Sequence, residues 1–191
     1  MEYPDLHPVT LPGERIVLRE IELTDADAAY LWASDDAFFR YLPFETVKSR
    51  SEEEAFLRSV QREAVARPRY QYHLGITSTT SNQLVGMARL GIKSPQHREG
   101  DMGYGLRPDR WGQGIATHAA ALLLDFGFGQ LGLHRIFACH HPENIASGRV
   151  LQKVGMLREG TLRENIFAHG AWRDSVLYSI LDHEWLQRSQ V

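Results

Sequence analysis

Residues 107–124 read RPDRWGQGIATHAAALLL: a proline stop, two glycines flanking Gln113, and an apolar run ending in three leucines. Ile115, Ala119, Leu122, Leu123 and Phe126 recur at helical spacing, so a turn here feeds a long helix with one buried face. Glycine gives up more backbone freedom on folding than any other residue, and two of them at a helix mouth need a reason. They either relieve a tight turn or let bare amides approach an anion, which the unpaired N–H groups and the dipole of a helix start attract.

The chain on either side of this segment alternates between the two secondary-structure periods. Upstream, RIVLREIEL (15–23) reads as a strand, and Thr24 with Asp27 has capping-box spacing for a short helix. Ser51 with Glu54 marks a second helix start, followed by Phe56, Leu57, Val60 and Ala64 at helical spacing and Pro68 beyond the end. YQYHLGIT (70–77) and LVGMARLGI (84–92) are strand runs around the polar turn STTSNQ. DMGYGLRP (101–108) then puts Met102, Tyr104 and Leu106 on one strand face and stops at Pro108, which has no ladder donor. Downstream come a strand RIFACH (135–140) and a helix from Asn144 to about Gly155. A hairpin of LREGTLRENIF and WRDSVLYSIL around AHG completes the order. Strands that meet first as a meander and later across a helix give an α+β domain rather than a doubly wound one, and no linker or repeat divides residues 1–191.

Composition bounds the partners. A chain of 191 residues with 43% hydrophobic content has room for a sizeable core. A net charge of -3, with lysine and arginine spread along the chain, gives no footprint for nucleic acid or an anionic membrane. The longest apolar run, Ala119 to Leu124, is far short of the about 20 residues a membrane span needs. The single cysteine, Cys139, has no internal disulfide partner, and MEYPDLHPVT lacks the basic and apolar regions of a signal peptide. A cytoplasmic location is expected. His140 and His141 beside Cys139 invite a metal reading, but neighbouring strand residues face opposite sides and no second ligand cluster completes a tetrahedral site, so no metal is expected. Cys139 reads as a small strand residue with no signal for a lowered pKa.

Two nucleotide readings of the glycines fit badly. No Gly-x-x-x-x-Gly-Lys-Ser/Thr occurs, and Thr117 stands where a dinucleotide fingerprint has its third glycine. That fingerprint also follows the first strand of its domain, whereas this turn comes after a meander.

RPDRWGQGIATHAAALLLDFGF, HPENIASGRVLQKVGMLREGTLREN and GAWRDSVLYSILDHEW together resemble the GCN5-related N-acetyltransferases (GNAT), particularly the branch of the ribosomal-protein N-acetyltransferases RimJ and RimL. The resemblance runs from IVLREIELTDADAAYLW to the terminal EW and is strongest from Tyr104 to Arg163. It implies an acyl-CoA N-acyltransferase fold: a mostly antiparallel mixed sheet flanked by helices, with a splayed central strand pair. It also implies acetyl-CoA as acetyl donor and a primary amine as acceptor. The loop Gly112, Gln113, Gly114, Ile115, Ala116 and Thr117 would wrap the pyrophosphate with backbone amides, while Tyr104, Gly105 and Leu106 would offer backbone groups to the pantetheine arm. Trp111 takes the place where the family usually has arginine or glutamine, as the Rim branch allows, and packs as a loop anchor. His118 replaces a frequent glutamate and has no assigned role.

Asn144 is a helix N-cap by residue type, and its family equivalent also contacts the cofactor. The tyrosine that many family members use to protonate the departing thiolate is Leu151 here. By resemblance to RimL-like members Ser147 takes the place of the acid. Glu164 is the candidate base, two residues from the family position at Ile166 and so on the same strand face; the alternative is a surface carboxylate paired with Arg163. Attack by a neutral amine favours an α-amine, whose reference pKa near 8 lies well below that of lysine. Freeing a lysine costs roughly 3 kcal/mol more at about 1.36 kcal/mol per unit. The resemblance to the Rim branch thus implies a protein N-terminal α-amine as acceptor, with a small amine such as an aminoglycoside or polyamine as the alternative, because related branches share the cofactor motif. A non-catalytic CoA-binding regulator is the alternative from another class. Trp172, Arg173 and Asp174 read as the start of the returning hairpin strand, bordering the acceptor cleft by resemblance.

Overall fold

The computed structural model describes residues 3–188; Met1, Glu2 and 189–191, within the expected 1–191 domain, lie outside the described residues. Eight strands and six helices follow in the order β1 (Thr10–Pro12), β2 (Ile16–Glu20), α1 (Ala26–Ala33), α2 (Asp36–Phe39), α3 (Arg50–Ala64), β3 (Gln71–Ser78), β4 (Leu84–Ser94), β5 (Glu99–Leu106), α4 (Ile115–Asp125), β6 (Arg135–His140), α5 (Ile145–Lys153), β7 (Leu157–Ala168), β8 (Ala171–Leu181) and α6 (Asp182–Arg188). One mixed sheet holds the strands in the order β1-β2-β3-β4-β5-β6-β8-β7. Every pairing is antiparallel except β5 with β6, which the α4 crossover makes parallel. The expected α+β class and the mostly antiparallel mixed sheet are what the chain adopts.

The apolar residues separate into two clusters. Ile21, Ala29, Trp32, Leu57 and Val60 join α1 and α3 to one side of the sheet. On the other side Leu74, Ala88, Leu90, Ala119, Leu123, Leu124, Phe126 and Ile136 seat α4. Leu122, expected on the inward face of that helix, is half-buried, and Leu124 is buried in its place. With helices on both faces, the middle strands are nearly continuously buried, as Leu74 to Thr77 of β3 shows.

Both helix-start signals lie two residues earlier than their spacing indicated, and only the first closes as a capping box. Asp25, not Asp27, closes the first: its Oδ2 accepts the Glu22 N–H at 2.9 Å, because Arg19 of β2 forks onto both carboxylate oxygens at 2.8 Å and fixes Asp25 there. Thr24 instead donates its hydroxyl to Glu22 at 3.2 Å. In the second, Ser49 Oγ accepts the Glu52 N–H at 3.2 Å and Glu52 Oε2 accepts the Lys48 N–H at 2.8 Å. The earlier start puts Arg50 in the first turn, where it pairs with Asp27 of α1 and with Glu54.

The parallel contact between β5 and β6 spans only Glu99 to Asp101 against Arg135 to Phe137. Past it, β5 stays with β4 as far as Leu106 opposite Gly86, while β6 stays with β8 as far as His140 opposite Val176. The centre of the sheet therefore opens into a fork between residues 102–106 and 138–140. This is the splayed strand pair expected from the sequence.

Candidate active site

The glycine turn lies between the end of β5 and the start of α4, at the side of this fork. Gly112 has φ +73° and Gly114, the residue before α4, has φ +78°. A Cβ at either would meet nothing within 4 Å, so glycine is required there by backbone conformation and not by crowding. Among the described residues, none of the six amides from Gly112 to Thr117 donates to a protein acceptor; the first N–H of the segment that is satisfied is that of His118, on Gly114 O at 3.1 Å. A row of free donors at a helix start is an arrangement that favours an anion.

The loop is held from three directions. Trp111, although exposed, donates its indole N–H to Leu106 O at 2.8 Å and pins the turn to the strand it leaves. Gln113 Nε2 reaches back to Asp109 O at 3.0 Å, and Arg15 Nη1 donates to Gln113 O at 3.1 Å. The second of these brings a guanidinium from the β1–β2 turn to the loop. His118, unassigned from sequence, lies against that turn: a Cβ on Gly13 would be 2.7 Å from its Nε2, so the pair fits because residue 13 has no side chain.

A cavity of about 160 Å³ occupies the fork. Met102, Gly103 and Tyr104 form one prong, Ala138, Cys139 and His140 the other, and Asn144, Ser147 and Leu151 of α5 approach from the side. Asn144 caps α5 as expected, its Oδ1 accepting the Ser147 N–H at 3.1 Å. Ser147 faces Tyr104: the phenol oxygen lies 3.1 Å from Ser147 Oγ and donates to Ser147 O at 3.2 Å. Burial pushes the Tyr104 phenol up to about 12, with the serine contact acting in the opposite direction. It is a proton donor at any physiological pH. From the sequence only the backbone of Tyr104 is assigned, because its alternation with Met102 and Leu106 reads as a core stripe; in the structure its side chain forms a hydroxyl pair with Ser147. Gly105 sits beneath the Phe38 ring of α2, 2.7 Å from where a Cβ would lie.

His140 is buried, with Nδ1 on His141 O at 2.8 Å and Nε2 without a protein partner. The His141 ring stacks on Tyr41, centroids 5.5 Å apart, and makes one wall of the cavity. Cys139 is exposed, and partial desolvation raises its thiol above the ordinary range, so it is not an activated nucleophile.

Glu164 is exposed and is not among the residues that line the cavity. It has φ +48° inside a bulge where four steps along β7, from Leu162 to Ile166, oppose only two along β8. Strand alternation therefore fails between Glu164 and Ile166, and Ile166 alone reaches the cavity. What holds the bulge is Asp174, whose Oδ1 accepts the Glu164 N–H at 2.8 Å. Asp174 and Arg173 both line the cavity, with Tyr41, Leu42 and Pro43 opposite. His169, at the β7–β8 turn, reaches Leu42 O at 2.9 Å and ties the hairpin to that segment.

Residues 15–157 match the protein family described as the acetyltransferase (GNAT) domain. The chain is 30% identical over 171 residues to the uncharacterized N-acetyltransferase YoaA of Bacillus subtilis, a match covering 90% of this chain and 96% of the relative. It is 31% identical over 101 residues to the spermidine N(1)-acetyltransferase of Escherichia coli K12, covering 53% of this chain and 54% of that one. Among solved structures, Mycobacterium smegmatis RimJ in complex with CoA-disulfide is similar at a TM-score of 0.84 and 27% identity, over 98% of this chain and 97% of that chain. The chain belongs to the GNAT family of N-acetyltransferases.

Proposed function

We propose that this GNAT enzyme transfers an acetyl group from acetyl-CoA to a primary amine, and that the amine is the α-amine of a polypeptide N-terminus. The observation that carries the reading is the row of six free amides from Gly112 to Thr117 beside the forked cavity. The row suits a pyrophosphate, Arg15 adds positive charge to it, and the open prong of β5 leaves Gly103 to Leu106 with no strand on one side to bind an extended arm. Gly112, Gln113, Gly114, Ile115, Ala116 and Thr117 are then the phosphate cradle and Trp111 its anchor. Tyr104, Gly105 and Leu106 line the arm, and Asn144 presents α5 to it. The complex of RimJ with a CoA-disulfide supports the assignment.

In the cavity the chain has two tasks. It must admit an amine in its neutral form, and it must give the leaving sulfur a proton. The Tyr104–Ser147 pair meets the second with a phenol that stays protonated and a hydroxyl in contact with it. Relay through the pair places the proton without a charged acid in the site. A small polyamine is the second reading, favoured by the spermidine-acetylating relative that matches about half of this chain.

Titration calorimetry of the purified protein with acetyl-CoA is the test. Binding is expected, and its absence overturns the reading. Thiol release from acetyl-CoA, assayed with peptides bearing free N-termini and with spermidine, then separates the acceptors. Binding without release for any amine would make the chain a CoA-binding regulator.

A further inference from the structure

Arg173 and Asp174 are adjacent in sequence and opposite in charge, and both line the fork cavity. They are not paired with each other, and among the described residues no carboxylate lies within ion-pair distance of the Arg173 guanidinium. Asp174 uses Oδ1 to hold the Glu164 N–H and leaves Oδ2 without a hydrogen-bond partner. Asp174 is the one carboxylate among the residues lining this cavity. Two opposite charges held a residue apart and left unsatisfied in a concave site match a ligand with a positive group and a negative or carbonyl group a few bonds apart.

Resting on the proposed N-acetyltransferase reading, we infer that Asp174 and Arg173 form the acceptor site for a polypeptide N-terminus. Asp174 Oδ2 takes the α-ammonium and the Arg173 guanidinium takes the first carbonyl groups of the chain. The bulge in β7 is what aims Asp174: the left-handed backbone at Glu164 presents its N–H to Oδ1 and thereby fixes the direction of Oδ2. The Tyr41–His141 wall and Ile166 enclose the first side chain. A polyamine fits this arrangement poorly, because its further ammonium groups meet an arginine. In the reaction the bound ammonium first loses one proton, through Asp174 to solvent. Its nitrogen then forms the bond to the acetyl carbon, the carbon–sulfur bond breaks, and the nitrogen's second displaced proton leaves by the same carboxylate. The sulfur receives one proton from the Tyr104–Ser147 pair, which is refilled from solvent, so the transfer balances as amine plus thioester giving amide plus thiol.

The test compares wild type with Asp174→Asn and Arg173→Gln, using peptides that begin with Ser, Ala, Thr or Met, and spermidine. Asparagine keeps an acceptor for the Glu164 N–H, so the bulge survives and an unchanged melting temperature verifies it. For wild type, at least one peptide is expected to exceed spermidine in kcat/KM. Each variant is expected to lose about tenfold to a hundredfold in kcat/KM for that peptide, the scale of a hydrogen bond to a charged group. The loss in Arg173→Gln should fall mainly on KM, and acetyl-CoA affinity should not change in either. Arg173→Gln should also narrow the gap between peptide and spermidine. The inference is overturned if spermidine is the better acceptor, if neither variant changes peptide kcat/KM by more than threefold, or if bound acetyl-CoA is not consumed with any of these acceptors. Failure to bind acetyl-CoA at all would instead remove the enzyme reading beneath it.

Discussion

At the scale of single residues, the site depends on a contact that is long-range in sequence. Tyr104 and Ser147 are 43 positions apart and meet because β5 has left β6 and α5 covers the gap. Burial pushes the phenol up to about 12, so Tyr104 stays protonated throughout the range in which an amine is being freed. Tyr104→Phe removes this donor and keeps the ring. The expected result is a fall in kcat of about a hundredfold, the lower end of what a positioned acid contributes, with acetyl-CoA affinity unchanged. Pre-steady-state thiol release measures it directly. An unaltered rate would show that Ser147 delivers the proton without the phenol. The sequence shows both hydroxyls, but a strand tyrosine flanked by Met102 and Leu106 at period two has the pattern of packing. Only the fork turns that packing face into a cavity wall.

At the scale of elements, α3 carries a buried carboxylate. Glu53 is 3% exposed and has no hydrogen-bond or ion-pair partner for its side chain among the described residues. Desolvation raises its carboxyl to about 7. The sign follows from where protons are held: between the unfolded value near 4.5 and the folded value, the native chain keeps a proton that the unfolded chain has lost. Stability is therefore full below about pH 4.5 and falls as pH rises toward 7, by about 3 kcal/mol at roughly 1.4 kcal/mol per unit. Glu53→Gln lacks the ionisation and should melt higher than wild type at pH 8, with the difference shrinking toward pH 5. Thermal unfolding at the two pH values decides it, and equal differences at both would refute the assignment. The acidic run Glu52 to Glu54 marks a helix start in the sequence; Glu53 shares the helical spacing of Leu57, Val60 and Ala64, but a carboxylate in an acidic first turn reads as a solvated complement to the helix N-terminus until the packing shows it covered. The helix starts carry the same lesson. Thr24 with Asp27 and Ser51 with Glu54 have the right spacing, yet Arg19 fixes Asp25 as the partner in the first cap through a tertiary pair that no local pattern contains, and Ser49 takes the second cap from Ser51. The hairpin of β7 and β8 was legible as two strands and a turn. Its bulge was not, because a non-glycine left-handed residue such as Glu164 leaves no compositional mark.

At the scale of the whole molecule, the sheet is continuous at its edges and interrupted at its centre. Between residues 102–106 and 138–140, β5 and β6 share no ladder bonds, so what lies between the prongs must supply its own cohesion. A ligand that fills the fork and satisfies the amides of Gly112 to Thr117 binds the native state alone and stabilises it by mass action. Acetyl-CoA at a hundred times its dissociation constant should contribute about 2.7 kcal/mol, which for a domain of this size raises the melting temperature by about 5–10 °C. Gly114→Ala separates the turn from the ligand. Nothing lies within 4 Å of the new Cβ, so the unliganded protein should lose only the cost of a left-handed non-glycine residue, about 1–2 kcal/mol. If the turn relaxes out of φ +78°, the amides no longer converge and binding weakens. A tenfold loss of affinity halves the ligand increment to about 1.4 kcal/mol at the same ligand concentration. Scanning calorimetry with and without acetyl-CoA on both proteins reads the two effects separately. A shifted unliganded transition with an undiminished increment would mean that glycine at 114 serves the turn and not the phosphates.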